Sequence, residues 1–227
     1  MAIYNTKLIG RRKIAEGTIE ISLERPKGFS FKAGQYIQLA VPRLLYGDFK
    51  GNSRVLSIAS SPLNKEEIVV AFRDTGSGFK KTIKDLAEDA PLLIQGPYGF
   101  FTLPEDPPYP IVFVAGGIGI TPYLSMIRLA AERNFTTPIT LLYANRSKES
   151  AAYLEELEQL AREHKNFTFK NRFGRIDEKF IEQNVKDITN CAWHIAGPPP
   201  MVDSMRNILM LLGVKSDKVY TESFTGY

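Results

Sequence analysis

The chain has 227 residues, which is about the length of two compact domains, because domains cluster near roughly 100–150 residues. Hydrophobic residues make up 44% and charged residues 24%, a composition that excludes a disordered or fibrous chain. The formal net charge of +4 is small, and the basic residues are scattered among acidic ones, which argues against nucleic-acid binding. No segment approaches the roughly 18 apolar residues of a membrane span or the apolar stretch of a signal peptide, so we expect a cytoplasmic protein.

The only cysteine, Cys191, excludes an internal disulfide. It also excludes a four-thiolate iron–sulfur cluster, which needs about four such ligands. We therefore expect no metal site, and any redox centre is expected to be organic and held non-covalently.

The first half of the chain alternates apolar and polar residues in short segments separated by Gly and Pro. This period is that of half-buried strands, and the first 26 residues fit a strand hairpin. The further strand segments are 17–23, 35–41, 54–59, 68–73 and 92–95, with one amphipathic helix over 78–86. The pattern predicts a six-stranded antiparallel β-barrel over residues 1–103.

The proline-rich segment 104–110 can sustain neither a helix nor a strand ladder and is expected to be a linker. Beyond it, buried strands alternate with amphipathic helices. The strand and helix pairs are 111–115 with 122–134, 139–144 with 150–164, 167–171 with 178–184, and 193–196 with 201–212. This alternation predicts a second, C-terminal α/β domain over residues 111–227, built on a doubly wound parallel sheet.

The strongest chemical signal follows the apolar strand that begins at Ile111. It is a loop containing Gly117, Gly119, Thr121 and Pro122. Glycines let the backbone approach a phosphate, and a helix N-terminus offers unpaired N–H groups. Thr121 suits an N-cap and Pro122 the first helical position, so the loop is predicted to receive an anion. The alternative is a glycine-rich turn without a ligand.

A second loop, with Gly197, Pro198 and Met201, follows the last predicted strand. Ligands of doubly wound sheets lie outside the carboxyl ends of the strands, so both loops are expected to border one crevice. The alternative is a proline-stiffened helix start.

In the first half, the key segment is Arg54-Val55-Leu56-Ser57-Ile58-Ala59-Ser60. An arginine fork suits a phosphate diester, and a serine hydroxyl can reach a ring nitrogen. Taken singly, the Arg54 pattern favours a solvated strand charge and the Ser57 pattern a satisfied turn hydroxyl.

These motifs, in this order, resemble the ferredoxin–NADP reductase superfamily over essentially the whole chain. Residues 54–60 are similar to its flavin-binding R-x-Y-S-x-x-S motif. Gly96-Pro97-Tyr98-Gly99 with Phe101 resembles the turn that ends its barrel, and the two glycine loops resemble its nucleotide loops. The end of the chain, Thr221-Glu222-Ser223-Phe224-Thr225-Gly226-Tyr227, resembles the segment that places an aromatic ring on the flavin.

The resemblance implies a flavin between the domains, FAD rather than FMN, with its pyrophosphate near Arg54 and the helix starting at Gly78. Residues 73–81 are then expected to contact the distal half of FAD, with charge compensation from two lysines that otherwise form a solvated basic face. The implied cofactor-binding residues are Arg54, Val55, Leu56, Ser57, Phe72, Arg73, Gly78, Phe79, Lys80, Lys81, Gly117, Gly119, Thr121, Pro122, Arg146, Gly197, Pro198, Met201 and Phe224.

Three positions depart from the family pattern. Leu56 replaces an aromatic hydroxyl beside the flavin, and Ala196 replaces the cysteine that plant-type members carry next to the nicotinamide. Lys80 replaces a Ser or Thr, where it either strengthens the pyrophosphate site or extends into solvent.

The activity implied is hydride transfer from NADPH or NADH to the flavin, with the protein positioning the two rings. Ser57 is expected near the hydride-accepting nitrogen, Glu222 as a proton relay or charge balance, and Phe224 as a ring that yields its place to the nicotinamide. Arg146 follows the second strand of the α/β domain and, together with Arg172 at the end of the third, favours NADPH, because an arginine there accommodates a 2′-phosphate.

The electron acceptor stays open. One hypothesis is an acidic carrier protein, a ferredoxin or flavodoxin, that docks on a basic rim with Arg11, Arg12 and Lys13. Others are free flavin or another small acceptor, or an oxygenase that this chain serves as reductase component. A non-catalytic flavin-binding subunit is the alternative from another class, favoured by Leu56 and Ala196 and opposed by the complete nucleotide half.

Overall fold

The computed structural model describes residues 2–105 and 107–224 of the chain. Within residues 2–105, six strands form an antiparallel sheet in the order β4-β3-β6-β1-β2-β5. The strands are β1 (Ile3–Ala15), β2 (Thr18–Glu24), β3 (Tyr36–Ala40), β4 (Ser53–Ser57), β5 (Glu67–Arg73) and β6 (Pro91–Tyr98). A bridge between Ile58 and Val70, next to a hydrogen bond from Ala59 N to Val69 O (2.8 Å), joins the two outer strands. The prediction of a six-stranded antiparallel barrel is confirmed.

The barrel interior is filled by the inward-facing residues of the alternating strands, as the period of two requires. Leu8, Ile21, Ile37 and Ile58 are all completely buried there. Helix α1 (Gly78–Asp85) packs onto the same core. Its residue Phe79 is also completely buried, so α1 is fixed to the barrel by its first turn.

Within residues 107–224, five strands form a parallel sheet in the order β11-β10-β7-β8-β9. The strands are β7 (Ile111–Gly116), β8 (Ile139–Asn145), β9 (Phe167–Phe173), β10 (Ala192–Gly197) and β11 (Val219–Ser223). The helices are α2 (Ile120–Glu132), α3 (Leu154–Glu163), α4 (Glu178–Asn184) and α5 (Pro199–Leu211). The predicted doubly wound sheet is confirmed, with one more strand, β11, than the sequence pattern indicates.

Helices cover both faces of the parallel sheet, and successive residues of its strands point to opposite faces, so both sets of side chains are buried. Phe113 packs with α2 and α3, whereas Val112 and Val114 pack with α4 and α5. Such strands read as continuous apolar runs, and all of β7 is buried.

Helix α2 joins the two sheets. Its Ser125 hydroxyl donates a hydrogen bond to Ser60 O (2.6 Å), and Arg128 Nη1 donates to Ala59 O (2.9 Å). Arg128 also forms a bidentate pair with Glu156, at 2.7 and 2.9 Å. The segment that directly follows β4, with Ala59 and Ser60, is therefore bonded to the helix that begins at the glycine loop.

Residues 104–105 and 107–110, in the predicted linker, belong to no helix or strand, and Asp106 lies outside the described residues.

Candidate active site

The two glycine loops lie side by side at the carboxyl ends of β7 and β10, which pair in parallel with Ala115 opposite Ala196. A Cβ on Gly119 would lie only 2.5 Å from Ala196 O, so the α2 start approaches the β10 end at backbone distance. The Met201 side chain lies beside Gly116 and Gly197. The geometry thus brings both predicted nucleotide loops to one edge of the sheet, as a ligand crevice requires.

The start of α2 differs from the expectation. The helix begins at Ile120 after a short 3-10 turn over Gly117–Gly119, and its N-cap residue, Gly119, makes no side-chain capping bond. Thr121 lies inside the helix, where its buried hydroxyl donates to Ile118 O (3.0 Å). The prediction that Thr121 caps the helix and Pro122 begins it is wrong, because the 3-10 turn supplies the start of the helix two residues earlier.

The barrel side of the site centres on β4. Arg54 donates to Asp48 Oδ2 (2.5 Å) and to the carbonyls of Ser53 (2.6 Å) and Gly51 (3.0 Å), and its guanidinium carbon lies 5.0 Å from the centre of the Phe79 ring. Arg54 is therefore held in place and is not a freely solvated strand charge.

The other residues of the β4 motif divide between interior and surface. Val55 is exposed, Leu56 packs against the barrel core and Ser57 is buried. Ser57 is paired across the sheet with Tyr36, whose ring lies 5.7 Å from that of Tyr98.

The first turn of α1 presents its backbone N–H groups next to Arg54. Ser77, the N-cap, accepts a bond from Lys80 N (3.4 Å), and Phe79 N donates to Asp48 Oδ2 (2.8 Å). The rings of Phe72 and Phe79 lie in the barrel core, so Phe79 contacts the Asp48 carboxylate through its backbone and not through its ring.

The two lysines of α1 differ in burial. Lys80 is buried, with its Nζ 3.0 Å from Thr75 Oγ1 and 5.9 Å from the centre of the Phe72 ring. Burial lowers the pKa of Lys80, because desolvation disfavours the ammonium. The alternative that Lys80 extends into solvent is wrong, whereas Lys81 is exposed.

Arg73 lies between the two domains. It donates to Glu16 O and to Ser150 O, both at 3.0 Å, and its Nη2 would be 3.4 Å from a Cβ on Gly117. The geometry therefore places Arg73 beside the glycine loop as well as at the end of β5.

The end of the described chain runs along β10 into the same region. Glu222 in β11 is paired with Ala196, and Phe224 N donates to Gly197 O (3.0 Å). The Phe224 side chain packs against the cluster that contains Ala59 and Ala196. Thr225, Gly226 and Tyr227 lie outside the described residues.

The pKa of the Glu222 carboxyl group is strongly shifted. Burial raises its pKa from 4.5 to about 7, because desolvation penalises the carboxylate. The neighbouring Tyr123 hydroxyl is completely buried, and its pKa is raised by burial and then by the Glu222 charge.

Glu222 and His194 both line a cavity of about 670 Å³ between the linker and β11. Burial lowers the pKa of His194 to about 4, so its imidazole is neutral near pH 7.

The arginines proposed for the coenzyme lie at the carboxyl ends of β8 and β9. Arg146 is exposed directly after β8, and Arg172 is paired across the sheet with Ala144. Arg172 contacts Asp177 at 3.5 Å and lies 5.4 Å from the centre of the Phe180 ring. Arg146 is thus the more available cation of the two, and coenzyme preference stays a prediction.

Two of the three residues of the proposed basic rim, Arg11 and Arg12, make polar contacts with other parts of the first domain. Arg11 donates to Ile83 O (2.8 Å) and Leu86 O (2.5 Å), and Arg12 pairs with Glu20 at 2.5 Å. These contacts do not remove the positive charge of Arg11, but they fix where it lies.

Sequence reasoning missed Asp48, Tyr123 and His194. Asp48 stands between glycines in a polar turn, which is indistinguishable from a solvated loop in the sequence. His194 and Tyr123 lie on elements whose apolar pattern indicates only a position in the core.

Across the described residues, no group of three or more His, Cys, Asp or Glu side chains is placed to hold a metal ion. Among the helices of that same part of the chain, none is long and apolar enough to cross a membrane.

Comparison with known proteins finds one matching family model and several similar reductases. Residues 113–207 match the family model for the oxidoreductase NAD-binding domain. The chain is 35% identical over 162 residues to ferredoxin–NADP reductase B of Sorangium cellulosum, covering 70% of this chain and 65% of that protein. It is 26% identical over 225 residues to the reductase component of propane 2-monooxygenase of Rhodococcus jostii, covering 92% and 59% of the two chains. It therefore spans about three fifths of the length of that reductase component.

Among solved structures, ferredoxin–NADP+ reductase from Plasmodium falciparum superimposes with a TM-score of 0.81 at 21% identity, over 98% of this chain and 96% of that one. This likeness shows that the two chains share a fold. The barrel and the doubly wound sheet thus form a ferredoxin–NADP reductase-like two-domain fold, whose second domain matches the oxidoreductase NAD-binding domain over residues 113–207.

Proposed function

We propose that this chain is an FAD-dependent oxidoreductase that takes hydride from NAD(P)H and passes electrons to a protein carrier. In this proposal residues 1–103 bind the flavin, residues 104–110 link the domains and residues 111–227 bind the dinucleotide. The observation that carries the proposal is the convergence of three segments at one domain interface. These are the β4 segment bonded to α2, the two glycine loops, and the β11 end bonded to Gly197.

The residues present fit a flavin phosphate. Arg54 and the Phe79 N–H already hold a carboxylate oxygen, that of Asp48, at 2.5 and 2.8 Å, which supports an anion-binding role for these donors. A helix N-terminus adds a partial positive charge at the same point. We assign the pyrophosphate of FAD to this donor set. The flavin supplies the capacity to accept hydride and to release electrons one at a time.

Ser57 and Glu222 are proposed as the polar groups nearest the reacting rings. Ser57 lies at the end of β4, immediately before the segment that contacts α2. The Glu222 carboxyl carries a proton at about half occupancy near pH 7, because its pKa is about 7. It can therefore hold or release a proton at its own oxygen near physiological pH. Phe224, packed against the interface cluster, is proposed to cover the flavin ring.

The dinucleotide is assigned to the crevice at the carboxyl ends of β7 and β10. The Gly117–Gly119 turn and the close approach of Gly119 to Ala196 bring backbone groups to this edge, where the Met201 side chain lies beside them. We propose that Arg146 contacts the 2′-phosphate of NADPH. A kcat/KM ratio of the two coenzymes that stays the same in Arg146→Ala would remove this assignment.

The acceptor is proposed to be an acidic carrier protein of the ferredoxin or flavodoxin type. Support comes from relatives named as reductase components of a propane monooxygenase and as a ferredoxin–NADP reductase. Charge attraction between a basic rim and an acidic carrier weakens with salt. Turnover with an acidic ferredoxin should therefore fall steeply as ionic strength rises. Turnover with free flavin that is equally fast and indifferent to salt would favour a small acceptor instead.

The first test of the function is the cofactor content of the purified protein. We expect a yellow protein that releases one flavin per chain on denaturation, with FAD, not FMN, identified by chromatography. Protein that is colourless and takes up neither flavin from solution would overturn the proposal.

A further inference from the structure

The site assigned to the flavin pyrophosphate already contains an anion that belongs to the chain. Asp48 Oδ2 accepts from Arg54 Nη2 at 2.5 Å and from Phe79 N at 2.8 Å, and Asp48 Oδ1 accepts from Lys50 N at 2.9 Å. The Asp48 side chain is only 2% exposed. The Phe79 N–H bond, and then the Arg54 side chain, hold the pKa of Asp48 well below its usual range, so it is a carboxylate near neutral pH.

The loop that carries Asp48 covers the start of α1. Gly78 has the carbonyls of Tyr46 and Gly47 directly against it, in space that any Cβ would fill. Thr82 Oγ1 accepts from Leu45 N (3.1 Å) and Tyr46 N (3.3 Å), and Tyr46 OH donates to Asp85 (2.6 Å). A phosphate cannot reach the α1 N–H groups while this loop stays docked.

The attachment of the loop is polar more than apolar. Phe49, the residue after Asp48, is 97% exposed, and Leu45 is 56% exposed. The Tyr46 contact with Asp85 lies at the surface and contributes little net stability, because water replaces it when it breaks, whereas the Asp48 carboxylate is buried between its donors. Release of the loop therefore requires that another anion take over the Arg54 and Phe79 donors.

We propose that Asp48 is an internal competitor of the flavin diphosphate, occupying the diphosphate donors in the flavin-free protein and leaving them when flavin binds. This inference rests on the proposed function. Two anions cannot share the same two donors, so flavin affinity is reduced by the work of displacing Asp48. The benefit to the flavin-free chain is that Arg54 and the α1 N-terminus are never left unpaired.

Asp48→Asn tests the proposal, because it removes the charge and keeps the size and a carbonyl oxygen for Lys50 N. We expect this variant to bind FAD at least about tenfold more tightly than the parent, the factor that one charge-assisted hydrogen bond is worth. FAD affinity is measured by quenching of flavin fluorescence, with apoprotein at constant ionic strength. Inorganic pyrophosphate, followed by the rise in unfolding temperature, should gain affinity by a similar factor.

Asp85→Asn is the matched control, because it removes an equal charge from α1 and loosens Tyr46 but leaves the Asp48 donors intact. Its FAD affinity should stay within about twofold of the parent. Equal gains in both variants would show that net charge or loop docking sets the affinity, and would overturn the proposal. Unchanged or weaker FAD binding in Asp48→Asn would also overturn it while leaving the proposed function standing.

Pyrophosphate separates the inference from the function it rests on. If no variant binds flavin but Asp48→Asn gains pyrophosphate affinity, the anion competition stands and the proposed function fails. If neither ligand gains affinity, the competition is overturned. Asp48→Ser, which also lacks the carboxylate, serves in the same assays should Asp48→Asn not fold.

Discussion

Replacing Glu222 by Gln should make the stability of the protein less dependent on pH. The Glu222 pKa is raised from 4.5 to about 7 in the folded chain by burial, and its Oε2 has no hydrogen-bond partner within the described residues. The folded state thus favours the protonated carboxyl. This contribution to stability is complete below pH 4.5 and is lost as pH rises through about 7.

The magnitude follows from the size of the shift. A difference of about 2.5 pKa units corresponds to about 3 kcal/mol of unfolding free energy between pH 4.5 and pH 8, at about 1.4 kcal/mol per unit. Gln cannot ionise, so the stability of Glu222→Gln relative to the parent should rise by about this amount across that range. At pH 8 the variant is expected to be the more stable protein.

Urea unfolding of the flavin-free protein at pH 4.5, 6, 7 and 8 measures this difference. Trp193, the only tryptophan in the sequence, is completely buried and reports unfolding by fluorescence. Glu158→Gln, at an exposed position of α3, is the matched control for the loss of one carboxyl group. A stability difference between Glu222→Gln and the parent that is constant with pH would show that the Glu222 pKa is not raised in the folded chain.

Two further predictions concern the dinucleotide crevice. Gly119→Ala should lose roughly 1–3 kcal/mol of stability and most of its coenzyme affinity, because its Cβ would lie 2.5 Å from Ala196 O. Gly10→Ala, with no atom within 4 Å of the added methyl, is its control in urea unfolding and coenzyme titration, and equal losses in both would contradict the steric argument. Arg146→Ala should lower kcat/KM for NADPH by about tenfold and leave that for NADH within about twofold, because only NADPH carries the 2′-phosphate. Steady-state kinetics with both coenzymes measures this, and equal losses would count against a role in selectivity.

The period of the apolar residues predicts most of the fold, because burial on one or both faces of a sheet determines which positions of a strand are apolar. It fails at β11, whose residues are mostly half-buried or exposed and include Thr221 and Glu222. It also misplaces the start of α2, because a 3-10 turn precedes the helix and Thr121 bonds back to Ile118 instead of capping. Boundaries depend on local hydrogen bonds that a hydrophobic pattern does not record.

The candidate site is predictable where it rests on motifs and hidden where it rests on long-range contacts. The glycine loops can be found from the sequence because they stand at strand ends. The hydrogen bond from Phe79 N to Asp48 joins residues 31 positions apart, and no local sequence pattern indicates it. The burial of Lys80 likewise depends on its approach to Phe72 and Thr75. Such contacts follow from tertiary packing, which composition and spacing do not specify.

The proposed function requires that the two domains bring a flavin and a nicotinamide together for hydride transfer. Anaerobic stopped-flow mixing of the flavin-loaded protein with NADH and with NADPH measures this transfer. The oxidised-flavin absorption band should bleach within the turnover time with at least one coenzyme, and deuterium at the transferred position of that coenzyme should slow the bleaching. A flavin band that persists through many turnover times with both coenzymes would show that the two rings do not meet for hydride transfer.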